Sequence, residues 1–130
     1  MSGFREEWVG PLALVAVGGC LGAALRHGIT VLTPGVATLQ DPITGTLAAN
    51  VLGSFLLGAM AYDAGAGQVV PTRARLLVGT GVLSSLTTYS TFAVQTSGLG
   101  PELAALNVAA NYGLGFVAVV CGQRLAGWLS

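Results

Sequence analysis

A chain of 130 residues of which 53% are hydrophobic and only 8% charged, with a mean hydropathy of +0.77, carries too few charges to face water as an ordinary soluble domain. Lipid is the expected solvent. Five Arg, no Lys, two Asp and three Glu give zero formal net charge, which argues against a nucleic-acid surface or a polybasic lipid-binding patch.

Four long uncharged runs stand between the charged residues: Trp8 to Leu25 (18 residues), Pro42 to Tyr62 (21), Leu76 to Pro101 (26) and Leu103 to Gln123 (21). A helix needs roughly 20 apolar residues to cross a bilayer core, and none of these runs has the form of a cleavable signal peptide. Leu12 to Val17 and Phe55 to Met60 are continuously apolar, so the alternation of a transmembrane β-barrel is absent. The expected fold is an all-α integral membrane protein with four transmembrane helices, forming a single domain over residues 1–130.

In chain order, a tail of Met1 to Glu7 precedes helix one, expected over residues 9–32 and stopped by Thr33-Pro34-Gly35. Its Gly18-x3-Gly22 pair has the spacing that lets membrane helices approach closely. Helix two is expected over 43–62, with Thr46, Asn50 and Ser54 in one polar stripe; such a stripe reads either as a polar pathway or as interhelical glue. Gly65, Gly67 and Pro71 make Asp63 to Arg75 the one polar loop. Helix three is expected over 76–97, and Ser84 to Thr91 places six Ser or Thr hydroxyls and a Tyr within eight residues of its middle. That stretch suits a helix break, because hydroxyls can satisfy the backbone groups that an interruption frees, and broken membrane helices line cavities or bind ions. Gly98 to Glu102 turns the chain into helix four, 103–123, where Asn107 and Asn111 stand one turn apart. Twenty Gly residues imply close helix packing, and a 13.0 kDa bundle leaves little room for a pathway, so oligomerisation is expected.

Several chemistries lack their residues. The acids Glu6, Glu7, Asp41, Asp63 and Glu102 all fall at the edges of the runs, and the single His27 has no acidic neighbour in sequence. Hydrolase or acyltransferase chemistry needs a base and an activated nucleophile, and a proton-coupled carrier needs an ionisable group in the membrane. An enzyme is therefore not expected. Cys20 and Cys121, in different apolar runs, read as small hydrophobes and are too few for a metal site.

Three blocks of sequence resemble the fluoride channel family known as Fluc or CrcB. They are Gly19-x2-Gly22-Ala23-x2-Arg26, Gly45-Thr-Leu-x2-Asn50-x2-Gly53-x-Phe55-x2-Gly58 and Thr87-Thr-Tyr-Ser-Thr-Phe92, whose order and spacing match over almost the whole chain. The resemblance implies four-helix subunits that pair antiparallel, as two copies or as two paralogues, with helix three broken at the bilayer midplane. It implies two fluoride pores around a central structural sodium ion. Asn50 and Thr46 resemble the pore-lining asparagine and threonine, uncharged donors of the kind a small anion needs in place of water. Tyr89 and Phe92 stand where the family has two phenylalanines, whose positive ring edges suit an anion. Ser84 and Thr87 match the two positions whose backbone carbonyls bind sodium, and Arg26 matches a helix-one arginine near a vestibule, although such a residue also snorkels to the interface. The chain departs from the family at Ser84-Ser85, usually Gly-Gly, at Tyr89, usually Phe, and at Gly115 and Val119, often hydroxyl residues that line the anion path.

The expected function is thus passive fluoride exit from the cytoplasm through the plasma membrane, lowering fluoride toxicity. Two alternatives are a small multidrug-type transporter, whose embedded helix-one glutamate is absent here, and a non-conducting subunit of a heterodimeric channel. Arg5, Arg73, Arg75 and Arg124 share the face of both termini while Arg26 alone marks the other. This bias favours a cytoplasmic placement of the termini, hence one dominant orientation and an oppositely oriented paralogue as partner.

Overall fold

The computed structural model describes residues 2–33, 41–66 and 70–129. Pro34 and Gly35, read as stop signals, and Gly67 of the polar loop lie outside these residues. Every regular element described is helical: α1 (Ser2–Leu32), α2 (Asp41–Gly65), α3 (Thr72–Ala74), a π-helix (Arg75–Leu83), α4 (Ser84–Leu86), α5 (Tyr89–Ser97) and α6 (Pro101–Leu129).

The first, second and last long helices run past the bounds expected from the uncharged stretches. α1 begins at Ser2 instead of near Val9, α2 continues through Asp63 to Gly65, and α6 passes Gln123 and Arg124 to Leu129. The physical reason is that an uncharged run marks the part of a helix that lipid can solvate, whereas Glu, Gln and Arg are good helix formers that carry it onward into the headgroup region. The third helical segment likewise starts early, at Thr72 behind Pro71, a residue suited to the start of a helix but not to its interior. Trp8–Leu32, Ile43–Gly65 and Pro101–Leu129 are each long and apolar enough to cross a membrane.

Packing follows glycine. A Cβ on Gly18 would run into Leu77 and Gly81, and one on Gly22 into the Val82 carbonyl, so α1 lies backbone to backbone along the π-helix. Likewise Gly58 receives Val119, Gly122 receives Phe55 and Ala59, and Gly127 receives Tyr62. These contacts advance together along both chains, so α2 and α6 run parallel with their C-terminal ends side by side. There Asp63 pairs with Arg75 and accepts the Val70 N–H at 3.1 Å.

The interior is small: Ala49, Leu83 and Leu86 form its buried centre, with Ile29 and Met60 against them. The exterior is apolar instead, with Leu12, Val17, Leu21, Leu114, Phe116 and Val117 all exposed. This inversion of the soluble pattern is what lipid as solvent requires, since apolar surface facing acyl chains carries no hydrophobic penalty.

Candidate functional site

Helical winding stops at two residues. Thr87 has φ −78°, ψ 149° and Thr88 has φ −149°, ψ 125°, both extended, between α4 and α5. Two side chains take over two of the hydrogen bonds that a continuous helix would make. The Thr88 N–H, which would otherwise donate to the Ser84 carbonyl, donates to Asn50 Oδ1 at 2.8 Å. The Thr91 N–H, which would donate to the Thr87 carbonyl, is capped by Thr88 Oγ1 at 3.3 Å, a helix N-cap of the usual type. Gly53, one turn beyond Asn50, leaves the room that the Thr87 methyl occupies.

Asn50 is thereby the hub. Besides accepting from Thr88 it donates through Nδ2 to the Thr88 carbonyl at 3.2 Å and to Asn111 Oδ1 at 3.1 Å. Asn111 Nδ2 continues to the main-chain oxygen and Oδ1 of Asn107, both at 3.0 Å. Asn107, which is 1% exposed, donates to Thr96 Oγ1 at 2.8 Å, and the Thr96 hydroxyl donates to the Phe92 carbonyl at 2.7 Å. A polar chain of this kind in an apolar bundle is stable because each member is satisfied.

One wall of a cleft of about 430 Å³ is made by this chain, and its lining includes Asn50, Ser54, Thr88, Tyr89, Phe92 and Asn111. Aromatic rings form the other wall. Phe92 is buried and meets Tyr112 edge to face, centroids 6.2 Å apart at 86°, and Tyr89 at 5.8 Å and 49°. The site is therefore lined by neutral dipoles and ring edges, with no ionisable carboxylate or amine among its lining residues. It suits a small ion held by hydrogen bonds more than any bond-breaking chemistry.

Of the residues singled out from the sequence, Asn50, Thr87, Tyr89 and Phe92 come together in the cleft lining, whereas Thr46 is buried one turn below Asn50 and neither it nor Arg26 lines the cleft. Ser84 bonds its hydroxyl to the carbonyls of Thr80 and Gly81, and Ser85 packs beside Gly19 and Gly22 of α1. Gly115 faces the Ser54 hydroxyl, so α2 presents a hydroxyl where helix four lacks one. Thr96 and Tyr112 were not visible as site residues in the sequence. A lone Thr or Tyr on a membrane helix has no local signature, although the one-turn spacing of Asn107 and Asn111 pointed at their neighbourhood.

Comparison with known proteins decides the kinship. The family described as "CrcB-like protein, Camphor Resistance (CrcB)" matches residues 13–123. The chain belongs to the CrcB family. It is 53% identical over 119 residues to "Fluoride-specific ion channel FluC 1" of Natronomonas pharaonis, covering 92% of this chain and 96% of that protein. It is 52% identical to "Fluoride-specific ion channel FluC 2" of Halobacterium salinarum over 88% and 84% of the two chains. It is 42% identical to "Fluoride-specific ion channel FluC" of Shewanella oneidensis over 88% and 94%. With CrcB kinship and three membrane-crossing helices, the chain is a multi-pass membrane protein, and its relatives are named as channels and not as enzymes.

Proposed function

We propose that this chain forms half of a fluoride-selective channel that lets fluoride leave the cytoplasm passively across the cell membrane. The observation that carries the reading is the cleft at Thr87-Thr88 on a CrcB chain, lined by amides, hydroxyls and aromatic edges. Neutral HF crosses a bilayer unaided and dissociates inside; an inside-negative potential then drives the trapped anion out through any selective path. Asn50 supplies the neutral donor, with Thr46 one turn away, and Tyr89 and Phe92 supply the ring edges. Arg26, outside the cleft, attracts anions to a vestibule.

In this reading the segment from Thr72 to Ser97 is the fourth membrane span, broken near the midplane, and the whole chain is one four-helix transmembrane domain. Two subunits pair antiparallel. Two features support pairing: the polar cleft and the exposed Tyr89 and Ser90 open outward from the single chain. Both are costly against lipid and are relieved by a second subunit.

The oxygens of Ser84 and Thr87 fit a structural sodium ion, because the N–H groups that would engage them in a continuous helix are held by Asn50 and Thr88 instead. Unwound backbone carbonyls are suitable sodium ligands, and the ion would tie two subunits together at their breaks without being transported.

A heterodimer with a paralogue is favoured over a homodimer by two observations. The parallel ends of α2 and α6 gather Arg75 and Arg124 at one end of the bundle, which opposes insertion in both orientations, and two of the relatives carry numbered names, as members of a paralogous set would. Purified chain reconstituted alone into fluoride-loaded liposomes tests the reading. Fluoride efflux identifies a self-sufficient channel; efflux only after a paralogue is added identifies a subunit; efflux in neither case removes the proposal.

A further inference from the structure

The hydrogen-bond chain in the cleft wall has a direction that cannot be reversed. The Thr88 N–H can only donate, and it donates to Asn50 Oδ1. The main-chain oxygens of Asn107 and Phe92 can only accept, the first from Asn111 Nδ2 and the second from the Thr96 hydroxyl. These three fixed points set the orientation of every carboxamide between them. Asn50 must turn its amine toward Asn111, and Asn111 must turn its oxygen to meet it, at 3.1 Å. Since the Thr88 carbonyl takes the other N–H at 3.2 Å, both N–H groups of Asn50 already have acceptors.

An anion that seeks an N–H of Asn50 therefore finds a neutral oxygen in its place. We propose that the Asn111 side-chain oxygen is an exchangeable stand-in for the anion on Asn50, and that Asn107 and Thr96 are positioning residues that keep this oxygen facing the cleft. The inference rests on the fluoride-channel reading and names a device within it. A charged acceptor forms a hydrogen bond roughly twice as strong as a neutral one, so fluoride displaces the amide oxygen. Between ions the oxygen returns, and no buried N–H is left unpaired. Each bound ion has broken one internal hydrogen bond, which weakens its binding and helps it leave, as conduction requires.

The test compares half-saturating fluoride concentration and maximal flux in liposomes carrying the wild-type chain, with its paralogue where one is needed, and its variants. In Asn111→Ser the hydroxyl reaches back to the Asn107 carbonyl four residues earlier, as Asn111 Nδ2 does now, but is too short to reach Asn50. The half-saturating concentration should fall about 2- to 10-fold, the net effect of removing one neutral competitor. Thr96→Val makes the same test from the far end and does not depend on Asn111→Ser folding. It removes the acceptor of Asn107 Nδ2, so Asn107 Oδ1 no longer holds Asn111 Nδ2 in place and only the Asn107 main-chain oxygen still does, which loosens the Asn111 oxygen from Asn50. Its half-saturating concentration should also fall. A merely structural Asn111 would show lower flux and stability at unchanged half-saturation, and an unchanged or raised value in both variants overturns the proposal. Loss of the channel reading is separately visible, since the wild-type chain would then carry no fluoride at all.

Discussion

Asn50 combines two tasks in one carboxamide. Its oxygen holds the Thr88 N–H at the interruption while its amine faces the cleft and Asn111. Asn50→Ala therefore removes a donor from the pathway and leaves a backbone N–H without its partner in an apolar interior. Fluoride flux is expected to fall about tenfold or more, and stability by about 1–3 kcal/mol, the usual cost of such an orphan. Flux assays and thermal melts in detergent read the two effects separately; normal flux would show that the amide is only a packing element. Tyr89 is 72% exposed, and its ring, not its hydroxyl, stacks toward Phe92. Tyr89→Phe should accordingly keep flux within about twofold, since no hydrogen bond to the protein is lost, and a collapse of flux would assign the phenol a direct role with the ion.

At the scale of elements, the close contact of α1 with the π-helix depends on glycine where it touches backbone and not elsewhere. Gly22→Ala would drive a methyl group into the Val82 carbonyl and should destabilise by about 1–3 kcal/mol through overpacking. Gly10→Ala meets nothing within 4 Å and should be neutral or stabilising by up to about 1 kcal/mol from helix propensity. Equal effects from the two variants would mean that α1 does not pack on the π-helix as described. Thr88→Val deletes the N-cap of α5, worth about 1 kcal/mol, and a melt unchanged by it would show that the cap is dispensable. Much of this level was legible in advance. Three of the expected spans coincide with helices long enough to cross a membrane, because an uncharged run of such length admits few other readings. The π-winding of residues 75–83 was not legible, since Gly79 and Gly81 suit a tight α-helical contact equally well. The link from Asn107 to Thr96 joins two segments across a turn and leaves no periodic trace in the sequence, Thr46 shares its sequence block with Asn50 without sharing the cleft, and no residue of the Gly19 to Arg26 block lines it.

For the whole molecule, the proposed sodium-bridged assembly depends on oxygens freed at Ser84 and Thr87. Replacing sodium by a large organic cation should lower both the melting temperature and the flux, because oxygens arranged for a small cation would repel one another without it; indifference of both quantities would remove sodium from the account. Orientation is a second property of the assembly. Reporters fused at the C-terminus should report mainly from the cytoplasmic side, since four of the five Arg lie toward the end that carries the termini. Equal signals from both sides, with flux from the chain expressed alone, would establish a homodimer. The central claim is that a cleft of neutral dipoles and ring edges passes a small, strongly hydrogen-bonding anion and excludes a larger, weaker acceptor. It is tested most directly by loading liposomes that carry the reconstituted channel with equal fluoride and chloride and following both anions with ion-selective electrodes. Fluoride should empty from the vesicles while chloride stays inside, and comparable loss of chloride would contradict the account.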